Sequence, residues 1–399
     1  MLKIALKMLM GDKTKYIGLL IGITFTVFLI VFALSYFAGF MTRGFALISE
    51  NQTADVWVMD PSVHSTQMTI NMPDSALNRV RSVQGVSYAV PLSLSDISAR
   101  FPNGHFQTFQ MIGVDDATLA GVPILKNSKN PNILHSPDTV IVDPGGTSRK
   151  LQTPVYQKDK WPFDGVHLDV PTKQLSFGDE LLVNDKRVVV AGVSHTIPRF
   201  PPTPLLYTTY SNVKRINSGE SRSLTFVMVK AQKGVSPQTL AEKIQLQTGL
   251  RARTAAQFKE DTVRWIFVNS EDVGDMVNMI MLAMIVGFGV TGIMLYMFTY
   301  ENIRQYAVLK AMGASNTLLM KMVFIQASAA SLLGIGLGIG ACSIIGEGII
   351  VMGVDYPFRL MWFALPLGIF GVLIIGLTAA AISARPVLKL EPGLVFAER

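Results

Sequence analysis

The chain has 399 residues, of which 49% are hydrophobic and only 16% charged, and its mean hydropathy is +0.37; a soluble domain carries nearer a quarter charged residues. Its net charge of +7 does not point to nucleic acid, because the basic residues form no single polar block with interleaved aromatics, and membrane topology accounts for them. The one cysteine, Cys342, sits in an apolar segment, which excludes an intrachain disulfide and a cysteine-based metal site and leaves the redox compartment open.

The chain opens with "LKIALKMLMGD", which places Leu2, Ala5, Leu6 and Leu9 on one helical face and Lys3 and Lys7 on another. Residues 1–15 are therefore expected to form an amphipathic helix at the inner interface, or an extension of the span that follows. Charges are avoided near the bilayer centre, so the distance between successive charges finds the spans. Lys15 and Arg43 bracket 27 uncharged residues, and Asp275 to Glu301, Lys321 to Glu347 and Arg359 to Arg385 each bracket 25. All exceed the roughly 20 residues an α-helix needs to cross a bilayer. This places transmembrane helices at 16–42, 275–300, 318–348 and 361–384. The first follows a basic n-region, as a signal peptide would, but its apolar run is far longer than the usual h-region of about 7 to 15 residues.

Between the first and second spans, residues 43–274 have a different texture, with charges, prolines and short β-rich runs. "ADVWVMD" (54–60), "DTVIVD" (138–143), "KRVVVAGV" (186–193) and "LTFVMVKA" (224–231) predict strands. Helical spacing appears at 74–83 through Leu77, Val80 and Val83. It recurs at 236–248, with Ser236 as N-cap and Leu240, Ile244 and Leu246 on the apolar face. An α+β domain is expected, of up to two lobes, with the Pro-, Asp- and Asn-rich stretch 127–180 as an insertion or loop-rich second lobe. All five histidines, at 64, 105, 135, 167 and 195, fall here, but none has metal-motif spacing, no GxSxG elbow occurs, and no catalytic residue or metal ligand can be assigned. "NQT" at 51–53 fits the glycosylation triplet, which is short enough to arise by chance.

After the second span comes "ENIRQYAVLKAMGAS", residues 301–315. Ile303, Tyr306, Ala307 and Lys310 follow helical spacing, Gly313 is a stop signal and Ser315 caps the next helix. A short helix at 301–317 is expected between two spans, serving either as a basic anchor at the headgroups or as a docking element. In the third span, "GIGLGIG" places Gly334, Gly336, Gly338 and Gly340 inside a hydrophobic helix, without the strand that a nucleotide fingerprint needs. Two GxxxG pairs, Gly334 with Gly338 and Gly336 with Gly340, instead predict a helix-packing face, within the protomer or across a dimer. Ala327, Ala330 and Ser331 add small residues, while Gln326 and Ser328 can hydrogen-bond across helices. Glu347 is expected at the membrane interface rather than in a proton path.

Lys3, Lys7, Lys13 and Lys15, then Arg304, Lys310 and Lys321, then Arg385, Lys389 and Arg399 gather at one side of the spans, while the loop 349–360 carries only Arg359 against Asp355. By the positive-inside rule both termini, the 301–317 helix and the tail 385–399 are cytoplasmic, and 43–274 and 349–360 are outside. The chain contains no GxxxxGK[ST] and no Gly-Lys pair at all, so any ATP is bound by another chain.

"NIRQYAVLKAMGAS" resembles the segment between the second and third spans of FtsX/MacB-type (type VII) ABC transporter permeases, whose pattern is R-E-I-G-x-L-K-A-L/M-G-A. The order of one span, a large outer domain and three spans is similar, and the tail "ARPVLKLEPGLVFAER" resembles the family's closing pattern. Within the family, "LKMLMGDKTKYIGLLIGITFTVFLI", "VKAQKGVSPQTLAEKIQ" and "LEPGLVF" look most like the DevC-type branch. The resemblance implies an α-helical membrane protein with four transmembrane helices and a MacB-like extracytoplasmic α+β domain between helices 1 and 2, in the inner (plasma) membrane. It implies a permease subunit, not an enzyme, that pairs as a homodimer and docks a separate cytoplasmic ATPase through the 301–317 coupling helix. Arg304, Gln305, Tyr306, Lys310 and Gly313 would carry the docking. ATP and Mg would be bound by the partner, with no cofactor in this chain. The ATP-driven movement would pass to the outer domain by mechanotransmission and export a hydrophobic or amphipathic substrate, in company with a membrane-fusion adaptor and an outer-membrane duct. An FtsX-like signalling permease that activates an extracytoplasmic hydrolase is the alternative. Gln305 replaces the family's usual acid, and Tyr306 and Ala307 replace its Ile-Gly.

Overall fold

The computed structural model describes residues 2–125, 130–147, 150–217, 222–352 and 356–388. Lys389, Arg399 and Asp355, used above for orientation, lie outside the described residues, as does the tail beyond Leu388. The chain divides into two units, Met1–Phe40 with Glu271–Arg399, and Met41–Ser270. In chain order the helices are α1 (Leu2–Gly11), α2 (Lys13–Gly44), α3 (Ala46–Glu50), α4 (Ser75–Arg81), α5 (Tyr210–Ile216), α6 (Pro237–Thr248), α7 (Ala255–Asn269), α8 (Glu271–Glu301), α9 (Ile303–Ala311), α10 (Asn316–Val351), α11 (Ala364–Ser383) and α12 (Arg385–Leu388).

Four stretches, Lys13–Gly44, Glu271–Glu301, Asn316–Val351 and Ala364–Leu388, are long and apolar enough to cross a membrane. Their helices share one apolar core with α1, including Leu19, Ile23, Val27, Leu295, Val323, Ala330 and Val372. Ala5 and Leu9 of α1 are buried in it, while Lys3 and Lys7 are exposed. The break between α1 and α2 is chemical. Asp12 Oδ1 accepts the backbone N–H groups of Thr14 and Lys15 at 3.2 and 3.3 Å, so it starts a new helix rather than continuing the old one. Among apolar neighbours α2 and α8 share a polar node. Thr26 Oγ1 lies 3.2 Å from the Gly287 carbonyl and 3.0 Å from Thr291 Oγ1, which satisfies hydroxyls that hydrocarbon would strand.

The second unit is built on strands β1 (Val56–Met59), β2 (Val86–Arg100), β3 (Phe106–Val114), β4 (Thr139–Asp143), β5 (Gln152–Pro154), β6 (Thr172–Gln174), β7 (Glu180–Val183), β8 (Lys186–Val193), β9 (Leu205–Thr209), β10 (Phe226–Ala231) and β11 (Arg251–Thr254). Nine of them run in the order β11-β1-β10-β2-β3-β9-β4-β8-β7. The first four, with α4 and α6, form a split βαβ arrangement, β1-α4-β2 and β10-α6-β11, all antiparallel. One face is covered by α4 and α6 over Val56, Val58, Val80, Val227 and Ile244. On the opposite face Trp57 sits 5.8 Å from the rings of both Phe226 and Phe258, with Phe258 supplied by α7.

Strand β2 is long enough to serve two lobes. Val86–Leu92 pairs with β10 and Ser93–Arg100 with β3, and its far end also pairs with β7 through Ala99 and Arg100. The strands β2-β3-β9-β4-β8-β7 therefore close on themselves, around alternating inward residues such as Phe109 and Met111, Val140 and Val142, and Val188 and Val190. Of the two readings of 127–180, insertion or loop-rich second lobe, its described residues fit the second: they supply β4, which stands in this ring between β8, in parallel pairing, and β9, in antiparallel pairing.

Two local expectations need correction. Leu246 does not belong to the apolar face of α6: it is exposed, and the buried members are Leu240, Ala241, Ile244 and Thr248. Six residues beyond Leu240 the helix has turned about 600°, which leaves Leu246 about 120° off that stripe. Ser236 occupies the N-cap position, but its side chain makes no capping hydrogen bond, and Pro237 at the first helical position supplies the preset φ instead.

Candidate functional site

The segment from Glu301 to Ser315 folds as a helix held on one side. Asn302 separates α8 from α9, and its Nδ2 donates to the Phe298 carbonyl at 2.8 Å while its Oδ1 accepts from Gln305 Nε2 at 3.2 Å. At the other end Gly313 adopts φ +93°, a left-handed conformation that a side chain would strain. The Gly313 and Ala314 N–H groups close back on the carbonyls of Lys310 and Leu309, both at 3.0 Å. Ser315 then accepts the Leu318 N–H at 3.3 Å and opens α10.

Between these ends the residues divide by face. Tyr306 and Ala307 are 0% exposed. The Tyr306 hydroxyl donates to Gln326 Oε1 of α10 at 2.6 Å, and Gln326 Nε2 donates onward to the Ala5 carbonyl of α1 at 3.1 Å. The Ala5 carbonyl fixes the amide orientation, since only the NH2 end of Gln326 can face it, and the oxygen is left for Tyr306. Burial pushes the Tyr306 phenol up, so it stays a donor at any physiological pH. Lys310 Nζ donates to the Leu388 carbonyl of α12 at 3.0 Å. Near the start of the segment, Glu301 pairs with Lys15 of α2 at 3.3 Å. The outward face carries Arg304, Gln305, Val308 and Met312, the last two 44% and 70% exposed.

The site residues expected from the sequence therefore do not share one surface. Arg304, Gln305 and Gly313 are exposed, Lys310 is half-buried on α12, and Tyr306 points into the bundle, so its role in this conformation is to position α9 rather than to touch a partner. Val308 and Met312 were missed: their spacing of four places them on one face of the helix, but that spacing does not say that this face, rather than the Tyr306 face, is the outward one.

The glycines of α10 divide in the same manner. A Cβ on Gly334 would come within 2.5 Å of Ile23, and one on Gly338 within 2.5 Å of Val27, so both mark the close approach of α2. Gly336 and Gly340 meet nothing within 4 Å, so of the two GxxxG pairs expected to pack within the protomer or across a dimer, the Gly334–Gly338 pair is the one that packs within the protomer. Residues two apart on an α-helix point about 200° apart, so the two GxxxG pairs cannot face the same neighbour. Glu347 is exposed near the end of α10. Among the described residues no group of three or more His, Cys, Asp or Glu is placed to hold a metal ion.

Comparison with known families is decisive. Residues 17–247, well over half of the chain, match the MacB-like periplasmic core domain, and residues 278–392 match the FtsX-like permease C-terminal domain. The chain belongs to the FtsX/MacB-type permease family. It is accordingly a membrane permease subunit of the ABC transporter type, a class that implies an ABC ATPase partner. This permease is similar to the periplasmic region of MacB from Actinobacillus actinomycetemcomitans, at 15% identity and a TM-score of 0.35, over 56% of this chain and 98% of that one. It is also similar to the extracellular domain of the noncanonic ABC-type transporter YknZ from Gram-positive bacteria, at 14% identity and a TM-score of 0.31, over 50% of this chain and 98% of that one. No curated protein matches the permease.

Proposed function

We propose that α9 is the coupling helix through which this permease receives the work of ATP hydrolysis from a separate cytoplasmic ATPase. The observation that carries the reading is the two-sidedness of α9, with Tyr306 and Ala307 buried and hydrogen-bonded inward and Arg304, Gln305, Val308 and Met312 exposed outward. Such a face offers a guanidinium for a carboxylate and apolar side chains for a cleft, the composition of an interface anchor. Gly313 is exposed at its end, where the chain turns away. In this reading ATP and Mg belong to the partner, and both termini with α9 are cytoplasmic. Lys3, Lys7, Lys13, Lys15, Arg304, Lys310, Lys321 and Arg385 support that orientation in a bacterial inner membrane.

The protein then works as a homodimer of the DevC-like branch. It passes α9 movement to the outer domain by mechanotransmission and exports a hydrophobic or amphipathic substrate, together with a membrane-fusion adaptor and an outer-membrane duct. The paired Gly336 and Gly340 leave a small-residue face on α10 that suits contact with a second protomer in lipid. The docking role is tested with Arg304→Glu and Val308→Asp in the full chain, read as co-purification of the ATPase and as stimulated ATP hydrolysis. Both should fall at least about tenfold, as expected for removing a buried charged contact and burying a new charge. Unchanged association and hydrolysis would refute it.

A further inference from the structure

Between α2 and α10, both long and apolar enough to cross a membrane, runs an apolar groove of about 560 Å³, within the range that small-molecule sites occupy. Ile17, Ile21 and Phe25 of α2 form one wall and Leu337 and Ile345 of α10 the other, and Thr24 is the only polar residue of the lining. The five apolar side chains are 46–63% exposed, so they bound the groove without filling it.

One end of the groove is stopped by aromatic rings. Phe28, its last residue on α2, stacks on Phe32 with ring centroids 5.5 Å apart, and Phe32 meets Phe358 at 5.6 Å. Phe358 is buried and closes on α10, where a Cβ on Gly346 would come within 2.2 Å of its ring. From Ile17 to Phe28 the α2 wall rises about 16 Å, at about 1.5 Å per residue, close to half of a hydrocarbon core about 30 Å thick. The groove thus has the length of one leaflet, and of an acyl chain within it.

The other end carries a charge. Lys13 stands one helical turn before Ile17 in the row Lys13, Ile17, Ile21 and Phe25, whose members are four residues apart and therefore neighbours along one side of α2. It is exposed, and it makes no ion pair or side-chain hydrogen bond among the described residues. Asp12 and Glu301, the carboxylates beside this end of α2, are both paired with Lys15 at 3.3 Å, which leaves Lys13 uncompensated. A lysine at the end of a span extends its stem along apolar surface and sets its ammonium among the headgroups. An apolar groove of leaflet length with a cation at its mouth complements an anionic phospholipid.

We propose that the α2–α10 groove binds one phospholipid with an anionic headgroup, from the leaflet at the Lys13 end of α2. Its acyl chain lies along Ile17, Ile21 and Phe25 as far as Phe28, and its phosphate sits beside Lys13. The site uses neither α9 nor the pair Gly336 and Gly340, so it stands apart from ATPase docking and from contact between protomers.

The test uses the full chain in phosphatidylcholine nanodiscs containing a trace of phosphatidylglycerol that carries a diazirine, either near the headgroup or at the end of one acyl chain. After illumination the labelled residues are located by mass spectrometry. The headgroup-proximal probe should mark residues around Lys13 and Ile17, and the chain-end probe residues around Phe28 and Leu337. Exchanging part of the phosphatidylcholine for unlabelled phosphatidylglycerol should displace both. Lys13→Gln should cut labelling at subsaturating probe about fivefold, the effect of one basic residue at a membrane surface. Ala341→Phe, which puts a ring into the groove, should abolish it; should that variant fail to fold, Lys13→Gln on an exposed side chain decides alone. Labelling spread evenly over all four spans, the two probes in reverse order, or undiminished labelling in Lys13→Gln overturns the proposal. So does ready disulfide formation between two copies of Ile21→Cys with both probes excluded, which would assign the groove to a second copy of the chain.

Discussion

Replacing Tyr306 by Phe deletes one hydroxyl and tests whether α9 is held as a rigid lever. The bond it removes is short, 2.6 Å, and both partners are enclosed, with Tyr306 at 0% and Gln326 at 2% exposure. Gln326 cannot turn to recover a partner for Oε1, because its Nε2 is engaged by the Ala5 carbonyl. In an aqueous core an acceptor stranded in this way costs about 1–3 kcal/mol. Between membrane helices measured couplings average only about 0.6 kcal/mol and reach about 1.7. Gln326 sits two to three turns inside α10 and Tyr306 on a helix outside the spans, so about 1 kcal/mol is the expected loss. The assay is reversible unfolding of the full chain in mixed micelles, run as a double-mutant cycle of Tyr306→Phe and Gln326→Leu. The double variant should lose less than the sum of the two singles, by about 0.5–1.5 kcal/mol. Strict additivity would show that the two residues do not interact, and the rigid-lever argument would fall with it.

The glycine face gives a paired contrast. Gly338→Ala sets a Cβ 2.5 Å from Val27 and should destabilise the protein by about 1–3 kcal/mol through overpacking, whereas Gly336→Ala meets nothing within 4 Å and should leave monomer stability unchanged. Crosslinking between protomers is the second readout, and a loss in Gly336→Ala alone would support a dimer face there. The outer domain should also show a defined acid limb. Burial works against ionisation of Asp261, but the Arg251 and Arg253 guanidiniums, 2.7 and 3.0 Å from Oδ2, outweigh it and hold the carboxyl below the usual carboxylate range. A depressed native pKa stabilises above the unfolded value near about 3.9, and that stability is lost as pH falls through the native pKa. Melting temperature should therefore drop below about pH 4, and less steeply in Asp261→Asn; parallel curves for the two proteins would refute the assignment.

What the sequence made legible was whatever depended on long-range exclusion or on local backbone chemistry. Charges keep out of hydrocarbon over 25 residues at a time, so the four apolar helices could be read by counting. Gly313 and Ser315 punctuate the chain by their own geometry, so the end of α9 and the start of α10 could be read as well. Strand β2 could not, because Pro91 lies inside it and proline argues against a central strand. The structure accommodates Pro91 near the point where β2 passes from pairing with β10 to pairing with β3. The Thr254–Gln257 capping box that opens α7 was legible in principle and was overlooked. Contacts such as Glu50 with Arg199, 149 residues apart, leave no local trace at all.

The face of α9 was illegible for a more interesting reason. Its apolar residues do not gather on one side: Tyr306 and Ala307 turn inward, while Val308 and Met312 turn outward. A periodicity argument sees a weakly amphipathic helix and cannot choose between the sides, because the choice is made by Gln326, Ala5 and Leu388, which lie far away in sequence. Those three contacts tie a nine-residue helix to α10, α1 and α12. If α9 receives a push on its outward face, the load passes to α10 through the buried Tyr306–Gln326 bond and on to α1 through the buried Gln326–Ala5 bond, and to α12 through the half-buried Lys310–Leu388 bond. A helix anchored only by its headgroup-facing lysine would yield locally instead. The polar groups that look out of place next to apolar spans are therefore the ones that a lever needs, and the cost of burying them is met by pairing every one of those amide and hydroxyl groups within the bundle.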